Sequence, residues 1–392
     1  MTNMAQRTLP QRLLLGPGPA NVHPQIMAAL QQPVLGHLDP VFQEILVETA
    51  GQLRRLFGTE NEVTLAVTGT GFSGMESCLA NLIEPGDTML VGVNGFFGTR
   101  MVDFAKRFGA EVVEVNGEWG RPLAADDIDD ALHQNPGVKI VGFVHGETST
   151  GVRQPIPEIA NVAHAHGALV LMDAVTSLGG LPVMVDEWGV DAAYSASQKC
   201  VGTISGLAPL TFSARARERI AQRQGPLPTW YHDIEALHQY WSAQGFYHHT
   251  CSSTLVYGLK AALDLMDEEG IDNRFARHQR CGDALKNGLE AMGLSLVAAA
   301  GHRLPMLTTV RIPEGVEDLD VRKALLAEHG IEIAGGLGPL MGQIWRIGLM
   351  GYVAQPDNVR TFLGALSDIL NAQGCSVDGD AGQAAAEAVL SR

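Results

Sequence analysis

The 392-residue chain predicts an α/β protein, with a large domain built on a mostly parallel, seven-stranded sheet and a smaller C-terminal α+β domain. Between Val63 and Phe212, short apolar runs alternate with helical patterns through Gly-rich or polar turns, as successive strands and helices do. Two long helical patterns then break that rhythm, and three more strand-like runs follow. The chain is too long for one ordinary core, and its 46% hydrophobic content suffices for two.

The strands expected in the first sheet are Val63–Val67, Thr88–Val93, Glu111–Val115, Val138–Val144, Ala168–Met172, Ala192–Ser195 and Leu207–Phe212. Alternation with helices implies a parallel sheet covered on both faces. Ser252–Glu269 and Asn273–Met292 read as long helices, and Leu307–Ile312, Ile331–Ala334 and Trp345–Leu349 as a second sheet. Leu9–Pro24, with Gly16-Pro17-Gly18-Pro19, is neither helix nor central strand, because proline lacks the donor and fixes φ. The expected division is an N-terminal arm over 1–15, a large domain over 16–269, a small domain over 270–374 and an Ala-rich tail over 375–392, a short helix or a frayed end.

Composition narrows the function classes. A net charge of -16 without a long Lys/Arg run argues against a nucleic-acid partner. No apolar stretch approaches the roughly 18 residues of a membrane helix, and Met1–Gln11 lacks the apolar core of a leader, so a cytoplasmic protein is expected. The five cysteines are odd in number and widely spaced, which argues for reduced thiols and against a disulfide framework or a metal site.

Gly69-Thr70-Gly71-Phe72-Ser73-Gly74 fits the GxGxxG pattern after an apolar run. A dinucleotide site also expects an acidic residue at the end of the next strand, and Thr88–Val93 is followed by Asn94. The simpler reading is a strand-to-helix turn whose free N–H groups and helix dipole favour a phosphate.

Two residues carry the chemistry. Asp173 follows Ala168–Met172, which puts a carboxylate at the C-terminal end of a sheet strand, where ligands of such sheets gather. Singly, such an Asp is more often an N-cap or turn residue. Lys199 sits among small residues in Ala196-Ser197-Gln198-Lys199-Cys200, poor company for a solvated lysine. A confined lysine has a lowered pKa and forms a Schiff base with an aldehyde. Together the pair reads as a pyridoxal 5′-phosphate site: Lys199 as internal aldimine and proton shuttle, Asp173 holding the pyridine nitrogen protonated.

Ser197-Gln198-Lys199, Asp173 through Gly180, His145 through Gly151, Leu15 through Pro19, Tyr247-His248-His249-Thr250, Gly335 through Gly338 and Trp345 through Leu349 together resemble class V aminotransferases. The resemblance runs from about Leu14 to Leu370 and is nearest to the alanine–glyoxylate and serine–glyoxylate enzymes. It implies fold type I, an obligate homodimer and small amino-acid and 2-oxo-acid substrates. By resemblance the phosphate lies against Thr70, Gly71, Phe72 and Gln198, with Tyr247 and Thr250 from the neighbouring subunit. Phe97 stacks on the ring, where relatives often have tryptophan, and Thr148 contacts the cofactor's 3′-oxygen region. Arg346 matches the substrate-carboxylate residue and His37 a position beside the substrate.

The related ureidoglycine–glyoxylate enzymes resemble this chain in Asp186-Glu187-Trp188, Gln198-Lys199-Cys200 and Ile344-Trp345-Arg346, but carry amides where this chain has His37 and Tyr247. That ranks ureidoglycine second as donor. Two readings from other classes are a lyase or desulfurase using Cys200 as nucleophile and a cofactor-binding regulator without turnover. Adjacent side chains of an extended segment face opposite ways, so Cys200 reads as packing, and no appended regulatory module is visible.

Overall fold

A computed structural model describes residues 7–244 and 246–392, so the first six residues of the N-terminal arm lie outside the described residues. The central sheet has seven strands, ordered Val63–Gly69, Gly206–Phe212, Ala192–Tyr194, Leu169–Asp173, Ile140–Val144, Thr88–Val93 and Glu111–Asn116. Gly206–Phe212 runs antiparallel to both neighbours, and the remaining pairings are parallel. Ile140–Val144 and Leu169–Asp173 are buried throughout, and apolar but for Asp173, because helices cover both faces; the edge strand Glu111–Asn116 keeps its acidic side chains outward. Leu169–Asp173 lies mid-sheet, and its register sets Asp173 beside Val144 on one side and Tyr194 on the other.

Local chemistry explains the helix ends. Pro40–Phe57 starts at an Asp39 cap that accepts from Val41 N–H, has proline in its first turn, and stops at Gly58, whose φ of 59° suits glycine. Gly71–Leu82 begins at Thr70 with no side-chain cap, so its first N–H groups are free to face a ligand.

Several boundaries differ from expectation. Asp173 is the last residue of its strand rather than the residue after it. Ser197–Val201 is a turn, not an extended segment: Gly202 N–H donates to Lys199 O, Thr203 N–H to Ser197 O, and Ser197 Oγ–H to Ile204 O. The run expected as one strand over Ile331–Ala334 divides. Ile331–Glu332 pairs in parallel with Leu13–Leu14, and Ala334–Gly335 joins Ile344–Gly348, which also pairs with Leu307–Arg311. Such a split is invisible to periodicity, because it depends on which distant strand each dipeptide meets.

Two apolar clusters form. One surrounds the large sheet and takes in the helix Ser253–Glu269 from Val256 to Met266. The other gathers the helices Ile271–Ala291, Asp318–Glu328 and Pro356–Ala372, and takes in Leu15 and Ala20 from the N-terminal segment and Ala386 from the C-terminal one. The Ala-rich end is a helix, Gly379–Leu390, capped by Asp378 and packed on Ile271–Ala291. Among the described residues, no helix is long and apolar enough to cross a membrane.

Candidate active site

The strand ends and the turns after them enclose a cavity of about 180 Å³ lined by Thr70, Gly71, Phe72, Phe97, Thr148, Asp173, Gln198 and Lys199. These eight predicted residues come from five separate stretches of chain. Arg346 lies alongside: its Nε donates to Gly335 O at 2.7 Å and its Nη1 to the carbonyl of Thr148 at 3.4 Å. Tyr247, Thr250 and His37 do not line this cavity; Tyr247 and Thr250 are exposed, and the His37 and Tyr247 rings pack 5.1 Å apart.

Asp173 is held on two sides. Val175 N–H donates to Oδ1 and the Tyr194 hydroxyl to Oδ2, each at 2.8 Å. Burial nevertheless pushes its carboxyl up to about 7, because those bonds and the Lys199 charge do not offset lost hydration. Lys199 is lowered to about 8, first by burial and then by the Arg346 charge. Its Nζ donates to the carbonyl of Pro17, which ties the Gly-Pro-Gly-Pro segment to the site. Gly18 has φ +105°, where an L side chain is strained, and a Cβ there would lie 2.6 Å from Lys199 Cδ and crowd the lysine.

Sequence reasoning missed Tyr194, which lies inside the strand predicted over Ala192–Ser195. It also missed Glu147, whose carboxylate accepts from Phe97 N–H at 3.0 Å and Gly98 N–H at 3.3 Å, occupying the N-terminus of the helix Phe96–Arg107. That carboxylate anchors the segment carrying Phe97. Burial raises its pKa even though Ser149 also donates to it. Glu147 sits in a quoted motif, but its partner helix is some fifty positions away.

Cys200 is buried, and burial pushes its thiol up to about 12, which leaves no nucleophilic thiolate at neutral pH. Its packing role therefore rests on burial in a turn, not on the opposed faces of an extended segment.

A family model described as Aminotransferase class-V matches residues 14–358. The chain belongs to the class-V aminotransferases. The aminotransferase is 44% identical to the alanine–glyoxylate aminotransferase of Nostoc sp. in its crystal structure, with a TM-score of 0.92 over 94% of this chain and 98% of that one. It is 39% identical to the ureidoglycine–glyoxylate aminotransferase of Bacillus subtilis, with a TM-score of 0.96 over 99% of this chain and 100% of the other. The alanine–glyoxylate aminotransferase of Drosophila melanogaster is 38% identical, covering 95% of each chain. The protein is a transaminase, acting between an amino acid and a 2-oxo acid, and its cofactor is pyridoxal 5′-phosphate.

The residues present fit that cofactor. Among the described residues, Gln198 Oε1 is buried without a hydrogen-bond partner, the uncapped N-terminus of Gly71–Leu82 opens on the cavity, and a Cβ on Gly71 would come within 2.9 Å of Val175 Cγ2. When bound, pyridoxal 5′-phosphate supplies an aldehyde for Lys199 and an electron sink for the substrate's Cα.

Proposed function

We propose that this transaminase moves the amino group of alanine or serine to glyoxylate, yielding glycine and a 2-oxo acid. Glyoxylate as acceptor is supported by the names of the Nostoc, Drosophila and Bacillus relatives alike. The donor rests on one observation, the His37–Tyr247 ring pair: an imidazole and a phenol stand together where the ureidoglycine enzymes resemble an amide pair. An amide pair suits a ureido group's donors and acceptors better than two rings do.

In this reading Lys199 Nζ would take the substrate's Cα proton and pass it to the cofactor's C4′, while Asp173 would hold a proton on the ring nitrogen and Phe97 would stack on the ring. Thr148 contacts the 3′-oxygen region. Thr70, Gly71, Phe72 and Gln198 hold the phosphate, and Arg346 grips the substrate carboxylate as a planar fork.

Tyr247 and Thr250 complete the phosphate site of a second copy, with His37 beside its substrate, so the working unit is a homodimer. That reading is supported by the exposed apolar side chains Val34, Leu38, Val41 and Tyr247, and by Phe72, which lines the cavity yet is 40% exposed. We read 16–269 and 270–374 as the large and small domains, a division supported by Gly270, which ends one long helix and starts the next. A cytoplasmic location is supported by five free thiols.

Ureidoglycine is the second reading, favoured by the TM-score of 0.96 to the Bacillus enzyme. Asp186, one of the residues that resemble that subgroup, bonds Thr59 and Glu60 rather than lining the cavity, which weakens its bearing on the donor.

The test adds L-alanine, L-serine and (S)-ureidoglycine separately to the purified holoenzyme and follows the absorption of the bound cofactor. Conversion by alanine or serine, reversed by glyoxylate and absent in Lys199→Ala, is the expected result. Conversion by ureidoglycine alone would reassign the donor.

A further inference from the structure

We propose a second, non-catalytic site on this chain that binds a divalent transition ion of zinc's class, formed by Asp129, His133 and His166. Asp129 and His133 lie one turn apart on the helix Ala125–Gln134, and His166 is the C-cap of the neighbouring helix Pro157–Ala165. Helices that cross over between parallel strands run back against them, so both C-termini arrive at the edge of the sheet where Ile140–Val144 and Leu169–Asp173 begin. Asp173 closes the opposite end of its strand, about 13 Å away at roughly 3.3 Å per residue.

The three side chains converge. His166 Nε2 is 2.8 Å and His133 Nδ1 3.4 Å from Asp129 Oδ1, and the two imidazole centroids are 4.6 Å apart. Among the described residues, this is the one group of three or more His, Cys, Asp or Glu whose ligand atoms all lie within 4.8 Å of one another. Ligand atoms held at about 2.0 Å around a tetrahedral zinc stand roughly 3.3 Å apart, so from separations within 4.8 Å the ligand atoms need to approach by at most about 1.5 Å. Two imidazoles and one carboxylate select a borderline ion over calcium or magnesium, which prefer all-oxygen shells.

Two further features favour a cation. Both helices present their C-terminal, negative dipole ends here, and Asp130 adds charge one turn before His133. A cavity of about 250 Å³, lined by His133, His166, Asn135 and Gly137, adjoins the group and has room for water to complete the shell. Bound there, the ion clamps two successive crossover helices together without approaching the catalytic lysine.

Tag-free holoenzyme is titrated with zinc chloride, and separately with nickel chloride, by calorimetry and thermal unfolding. We expect one saturable site per chain and a raised unfolding midpoint, both lost in Asp129→Asn and in the His133→Ala, His166→Ala double variant. Those variants retain the parent transaminase rate in metal-free buffer, which shows that they are folded. Absence of saturable binding, or binding that survives in both variants, overturns the site.

Discussion

The Tyr194 hydroxyl donates to Asp173 Oδ2 at 2.8 Å, and the two residues are direct partners in the parallel pairing of adjacent strands. That bond favours the charged carboxylate, opposing the burial that raises its pKa to about 7. Its removal in Tyr194→Phe is expected to raise the pKa further, and the proposed role of Asp173 needs the ionised form. The acid limb of the pH profile for the alanine half-reaction is therefore expected to move to higher pH, with kcat/KM at pH 7 falling about tenfold. A fall of equal size at every pH would show that Tyr194 acts only through packing.

Gly18 and Gly16 separate a steric requirement from general sensitivity of the proline-rich segment. Gly18 has φ +105° and a Cβ there would crowd Lys199, whereas a Cβ on Gly16 has nothing within 4 Å. Gly18→Ala is expected to lose about 1–3 kcal/mol of stability and most of its activity, and Gly16→Ala to behave as the parent. Denaturant unfolding alongside steady-state kinetics checks both; equal effects would refute the Lys199 contact as the cause.

Arg346 is buried, with Nε committed to Gly335 O, and burial lowers its pKa to about 10. Lysine supplies a point charge but no fork, so Arg346→Lys is expected to raise KM for both amino and oxo acid by about a hundredfold with little recovery over Arg346→Ala. Full recovery by lysine would remove Arg346 from carboxylate recognition.

The proposed sharing of the site between two chains predicts complementation between impaired variants. Lys199→Ala and Tyr247→Ala proteins, each impaired alone, are expected to regain activity after mixed refolding, because one of the two sites in a mixed dimer then combines an intact lysine with an intact tyrosine. Half of the parent rate per mixed dimer is the ceiling. Mixtures no more active than their parts would place both residues in one chain's site or deny Tyr247 a role.

Local chemistry made much of the molecule legible in the sequence. The seven strands of the large sheet, the turn at Thr70, and Asp173 and Lys199 could be found because each leaves a signal within a few residues: an apolar run, a cluster of small residues, a charged group where charge is costly. Tertiary structure decided what those groups meet. Register brought Tyr194 to Asp173, chain closure brought the Pro17 carbonyl to Lys199 across 182 positions, and Glu147 reached the helix that carries Phe97. The division of Ile331–Gly335 between two sheets, and the convergence of Asp129, His133 and His166, likewise depend on neighbours distant in the chain. A side chain's type is written in its own position, whereas its hydrogen-bond partner is chosen by packing of the whole chain, which no short window of sequence contains.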